Sequence, residues 1–196
     1  MSGFKIWSRT AEYLSLNDIR PPPLAQLYAY WQKCRSSDED LPAQQDLSLR
    51  EVPECMGNLA LVALETAPAG ARYLLVGPAL KKLLGADPTG KRIDEIYSRS
   101  IAREVYDAFG RAARDRTPSF YQRDFEILGR SFGYYRLILP LRLGEGEGVR
   151  RLLVGIYPTS DRLTEADQWR GALADLEAQE RKEDEMQRAW LRSFAD

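Results

Sequence analysis

The stretch Arg72–Ile96, RYLLVGPALKKLLGADPTGKRIDEI, decides how the rest of the chain is read. It opens on a buried strand, Tyr73 to Val76, turns at Gly77-Pro78, and continues as one short amphipathic helix through Leu80, Leu83 and Leu84. Gly85 stops that helix, and Pro88 and Gly90 punctuate the turn that follows. A strand that leaves a sheet through short helices, with sheet before it and sheet after it, predicts a sensor-type fold around a small interior pocket.

Toward the amino terminus, the apolar run Leu59–Leu64 reads as a strand. The break at Pro68-Ala69-Gly70 makes it a hairpin with Arg72–Val76. Before it, Ser48 and Glu51 have the spacing of a capping box, starting a short helix limited by Pro53 and ending near Gly57. Residues 36–45 form a polar loop. A helix from Leu24 to about Arg35 carries Leu24, Leu27, Tyr28, Trp31 and Cys34 on one face. Pro21-Pro22-Pro23 reads as a stiff extended spacer, and residues 1–20 as an arm with Phe4, Trp7 and Tyr13 that packs on the domain or on a partner.

Toward the carboxyl terminus, a longer helix runs from about Ser100, its N-cap, to Arg114. Ile101, Val105, Tyr106, Phe109, Ala112 and Ala113 form its apolar face, and Thr117-Pro118 ends it. Three strands follow: Ser119–Leu128, Phe132–Leu143 and Arg151–Tyr157. The second shows Tyr135, Leu137, Leu139 and Leu141 on one face and Tyr134, Arg136 and Ile138 on the other; the first face is the better core candidate. Gly144–Gly148 is a flexible hairpin loop, whose Glu145 and Glu147 argue against a phosphate cradle. Thr164 to Asp167 caps a last helix, with Ala166, Trp169, Leu173 and Leu176 at helical spacing. A charged segment then interrupts the stripe before Met186, Trp190 and Phe194.

Composition narrows the chemistry. The chain has 196 residues and a net charge of −1, which argues against the basic face a nucleic-acid binder needs. It contains no histidine, so a Ser-His-Asp triad and His-ligated zinc or haem are excluded. Cys34 and Cys55 do not form a C-x-x-C pair and read as free cytosolic thiols. No signal-peptide core and no run of membrane-spanning length is present, so a cytoplasmic location is expected.

The motifs that suggest catalysis have plainer readings. Gly85–Lys91 fits the opening of a phosphate-binding G-x-x-x-x-G-K loop, but Arg92 stands where Mg²⁺ binding needs Ser or Thr. The segment also leaves a helix instead of a strand, so it reads as a helix cap and turn. The carboxylates Asp94-Glu95 and Asp124/Glu126 read as surface groups. Among Arg72, Arg123 and Arg136, Arg123 shares a strand face with Tyr121, Phe125 and Ile127. It is either a bidentate holder of an anionic ligand, or a structural ion pair or snorkelling side chain, the plainer readings weighing more.

The order of elements is that of a PAS domain. The segments LYAYWQKCR, DLSL-x-x-x-P, ARYLLVG, GADPTGK, YRLILPL and VRRLLVGIYP resemble the short bacterial proteins with atypical PAS domains, the PAS_5 group, over roughly residues 24–158. In that family a glycine-threonine pair commonly follows the second strand, where this chain has Gly77-Pro78. The resemblance implies an α+β fold: a PAS-like five-stranded antiparallel sheet with helices on one face and helical extensions at both ends. The expected division is 1–57 for the arm and flanking helices, 58–158 for the core and 159–196 for the last helix. The family's motifs are structural and bring no catalytic residue.

The resulting expectation is a non-catalytic sensory or regulatory protein that signals in trans to a protein effector. A small ligand or a partner would bind between the sheet and the helix at 100–114, with Tyr106, Tyr121, Arg123, Tyr135 and Leu137 as pocket candidates. The alternative is a ligand-free interaction module. In either case Trp7, Trp169, Trp190 and Phe194 are the candidate partner contacts, and the terminal helices the candidate homodimer surface. No cofactor is named: without histidine haem is not expected. Both cysteines precede the first core strand, so a cysteinyl-flavin adduct is not expected either.

Overall fold

The computed structural model describes residues 7–37, 40–66, 69–127, 130–144 and 148–159, with the single positions 178, 182, 185 and 186. The cap at Thr164–Asp167 and the candidate contacts Trp169, Trp190 and Phe194 lie outside the described residues.

The apolar runs and hairpin breaks pair into one antiparallel sheet. Strands β1 (Trp7–Leu14), β2 (Leu59–Thr66), β3 (Ala69–Val76), β4 (Ser119–Ile127), β5 (Arg130–Arg142) and β6 (Val149–Pro158) lie in the order β1-β4-β5-β6-β2-β3. The sheet therefore has six strands, one more than expected. The extra strand comes from the amino-terminal arm, which runs antiparallel along β4 with Trp7 opposite Ile127 and Leu14 opposite Phe120. It satisfies an edge that β4 would otherwise leave open to pairing with other chains.

The core helices cover one face of the sheet, as expected, and the helix of the amino-terminal extension covers the other. Helix α1 (Pro22–Lys33) packs Leu24, Leu27 and Trp31 on Leu137, Leu139 and Leu141 of β5. The opposite face carries α2 (Pro78–Leu84), α3 (Ile93–Ile96) and α4 (Arg99–Asp115), with Leu80, Ile93, Ile101, Val105 and Phe109 against Tyr134, Ile138 and Val154. A strand buried on both sides reads as a nearly continuous apolar run, which is what β5 shows from Leu137 to Leu141.

Local chemistry fixes how these elements sit. Pro21 is the N-cap of α1, and Pro22 and Pro23 occupy its first turn, where a missing N–H costs no helical bond; the proline run is thus a helix start and not a spacer. The indole N–H of Trp31 donates to the Pro140 carbonyl at 3.0 Å, tying α1 to β5. On β6, a Cβ at position 155 would lie 2.4 Å from Cδ2 of Leu24, so Gly155 lets α1 approach the sheet. Ser48 does not cap a helix: it precedes a single 3-10 turn, Leu49–Glu51, and its backbone N–H donates to the Tyr30 hydroxyl at 2.7 Å. Helix α4 starts at Arg99, with Ser98 in the N-cap position but making no side-chain cap bond, so Ser100 lies inside the helix and not at its cap. Gly85 ends α2 in the left-handed region at φ 71°, as its position predicts. Among the described residues no helix is long and apolar enough to cross a membrane.

Candidate functional site

Alternation along β5 turns Tyr134, Arg136 and Ile138 toward α4 and away from α1. The register of β4 on β5 places Tyr121 directly opposite Arg136. One terminal nitrogen of Arg136 donates to the Tyr121 hydroxyl at 2.7 Å, the other to the Tyr134 hydroxyl at 3.0 Å. The guanidinium carbon stands 5.0 Å from the centre of the Tyr134 ring and 5.6 Å from that of Tyr121. Arg136 is only 5% exposed, and its Nε finds no hydrogen-bond partner.

Arg136 forms part of the wall of a cavity of about 40 Å³ between the sheet and α2–α4. Tyr73, Val76, Tyr134 and Ile156 line it from the sheet, Leu80, Leu83 and Leu84 from α2, Tyr97 from the turn before α4, and Ile101 from α4. The hydroxyls of Tyr73 and Tyr97 lie 3.3 Å apart. Burial pushes both phenols up from their ordinary range, and Tyr121 as well, so all three are neutral at physiological pH. The site is thus mostly apolar, with one polar wall made of a cation and neutral hydroxyls.

The other arginines are answered within the fold. Arg123, 8% exposed, forms an ion pair with the Glu104 carboxylate of α4. That pair borders a second concavity of about 280 Å³ at the β1 edge, shared by Ala11, Tyr13, Asp107, Ala108, Arg111 and Tyr121. There Arg111 lies over the Tyr13 ring at 4.7 Å, and Tyr13 packs on Tyr121 at 5.3 Å. Arg72 pairs with Glu65 at 3.0 Å and donates to the Gly90 carbonyl at 2.5 Å.

Of the pocket candidates read from sequence, the structure brings Tyr121 and Arg123 together in the edge groove. Tyr121 also touches the cavity's cation through its hydroxyl. Tyr106 is half-buried on α4 beside Asp94, whose carboxylate adds to the effect of burial in holding the phenol up. Tyr135 and Leu137 do not reach the cavity. They lie on the α1 face of β5, where Tyr135 stacks on Phe120 at 5.7 Å. The backbone of Trp7 begins β1. Tyr73, Tyr97 and Tyr134, absent from those candidates, line the cavity instead. The available signal was Arg136 between apolar neighbours on a strand whose opposite face is wholly core.

The segment that fits a phosphate loop is spent on structure. The Gly90 N–H donates to the Tyr73 carbonyl at 2.8 Å, and the Lys91 carbonyl accepts from the Tyr73 N–H at 3.0 Å, pinning the turn to β3. Asp87 accepts from the Thr89 N–H at 2.9 Å and pairs with Lys81 at 2.6 Å. Hydrogen bonds from Lys81 and Thr89 hold its carboxyl at about 2. Asp94 pairs with Arg92 at 3.1 Å, and Glu95 accepts from the Arg92 backbone N–H at 2.6 Å, so these carboxylates cap α3 and do not face each other as an acid-base pair.

A family model described as PAS domain matches residues 19–157. Several solved structures are similar, among them these three. A domain of an HTR-like protein from Haloarcula marismortui is 18% identical at a TM-score of 0.37, over 53% of this chain and 99% of that one. The PAS domain of Bordetella pertussis BvgS is 25% identical at 0.43, over 63% and 89%. An RNA-binding light-oxygen-voltage receptor is 18% identical at 0.43, over 86% and 43%. No curated protein matches the chain.

Proposed function

The chain belongs to the PAS domain family, whose fold is a sensory and regulatory one, and on that premise we propose that it binds a small ligand in the cavity between the sheet and α2–α4 without transforming it, and relays occupancy to a protein partner in trans. The observation that carries this reading is a cavity with a polar wall inside an otherwise packed core. Protein interiors pack like organic crystals, so a hole lined by a cation and hydroxyls is a feature the fold maintains at a cost. The short helix α2 walls the site with Leu80, Leu83 and Leu84 and brings only Leu80 fully into the core, so filling the site displaces it at low energy. A binding role fits the lining: it has hydrogen-bond donors but no nucleophile paired with a base.

The test is a thermal-shift screen of small metabolites against the full chain and against Ile101→Phe, whose larger side chain occupies the cavity. Compounds that raise the melting temperature of the wild type and not of the variant support the reading. Compounds that act equally on both, or none that act at all, contradict it.

A further inference from the structure

The cavity's polar wall carries a charge that the described part of the fold does not balance. Arg136 has five N–H donors, of which the hydroxyls of Tyr121 and Tyr134 each take one and the Nε–H is taken by none. Among the described residues no carboxylate pairs with this guanidinium, whereas Arg123 on the adjacent strand has Glu104. The phenols of Tyr73, Tyr97 and Tyr121 hold their protons, so they contribute dipoles and no counter-charge. Removing a guanidinium from water without an anion is strongly unfavourable, and the natural completion of such a site is a group that supplies the missing charge.

Resting on the cavity being the ligand site, we propose that the ligand is a small carboxylate. Its two oxygens accept from the N–H groups that the two terminal nitrogens of Arg136 keep beyond their bonds to Tyr121 and Tyr134, the fork geometry that carboxylates match. Tyr73 and Tyr97 share one hydrogen bond between them, which leaves one hydroxyl proton for the same oxygens. The remaining walls, Val76, Leu80, Leu83, Ile101 and Ile156, are apolar and suit a short alkyl chain. They disfavour phosphate or sulfate, which need donors on all sides. The volume, about 40 Å³ where one water needs roughly 10–15 Å³, admits an acid of a few heavy atoms.

The experiment is calorimetric titration of the full chain with acetate, propionate, butyrate and pyruvate, each beside its uncharged amide. At least one acid is expected to bind tenfold or more tightly than its amide, and Arg136→Gln to erase that difference. Should Arg136→Gln not fold, the Nε–H proton resonance of Arg136 in the wild type gives the same answer, shifting with the acid and not with the amide. Equal binding of acid and amide overturns the carboxylate assignment while leaving the cavity a ligand site. Binding of neither series overturns both.

Discussion

Two arginines on neighbouring strands face the same helix, and the fold treats them in opposite ways. Arg123 of β4 meets the Glu104 carboxylate of α4. Arg136 of β5 meets two phenols, a cavity and no described carboxylate. Both are more than nine-tenths buried, so burial alone does not separate a structural arginine from a binding one. The partner does. A buried ion pair is closed once both charges are in place, whereas a buried cation held by neutral dipoles retains affinity for an anion.

The largest effect that would break this contrast concerns the closed pair. Glu104→Gln leaves Arg123 buried without its counter-charge, and we expect a loss of about 3 kcal/mol, the low end for a broken buried pair because Glu104 is partly exposed. Urea denaturation measures it, and a loss under about 1 kcal/mol would make Arg123 no better partnered than Arg136. The open site should respond in the other direction. Replacing Arg136 by Met together with Tyr121→Phe and Tyr134→Phe removes the uncompensated charge and both hydroxyls that served it. The ligand-free protein should gain about 2 kcal/mol in the same measurement, and a net loss would show that the cluster is there for stability. Tyr121→Phe alone strips one partner from the charge and should cost about 1.5 kcal/mol, the worth of a hydrogen bond to an ion.

The smallest effect belongs to a pair at the surface. The Asp87 carboxyl sits at about 2 in the folded chain, held down by Lys81 and Thr89, against an ordinary 3.8. A depressed carboxyl contributes stability that is complete above its unfolded value and is lost as pH falls through the folded one. The window is therefore about pH 4 down to about pH 2. Being exposed, the pair is screened by solvent, and Asp87→Asn should leave the urea midpoint at pH 7 nearly unchanged. A carboxyl-carbon NMR titration of Asp87 with a midpoint near 4 would remove this interaction from the account.

Much of the architecture was legible because it is local. The hairpin of β2 and β3, the crossover through α2 and the stop at Gly85 each follow from a run, a break or a special residue within about ten positions. What could not be read depends on distant partners. Trp7–Leu14 has no strong strand pattern of its own and is extended because β4 offers an edge more than a hundred residues later. Periodicity separated the two faces of β5 correctly but did not say that α1 takes one and α4 the other. Tyr135 and Leu137 were therefore grouped with residues they never meet. Of the cavity, only Tyr121, which touches its cation, was among the candidates. Tyr73, Tyr97 and Tyr134 converge from three separate elements, and no spacing along the chain encodes that meeting.

The most direct test of the central claim is native mass spectrometry of the chain purified gently from its own cells in carboxylate-free buffer, wild type beside Ile101→Phe. The account predicts a retained small acid on the wild type that is missing from the cavity-filled variant. A wild type carrying no non-protein mass, or the same mass on both proteins, would contradict it.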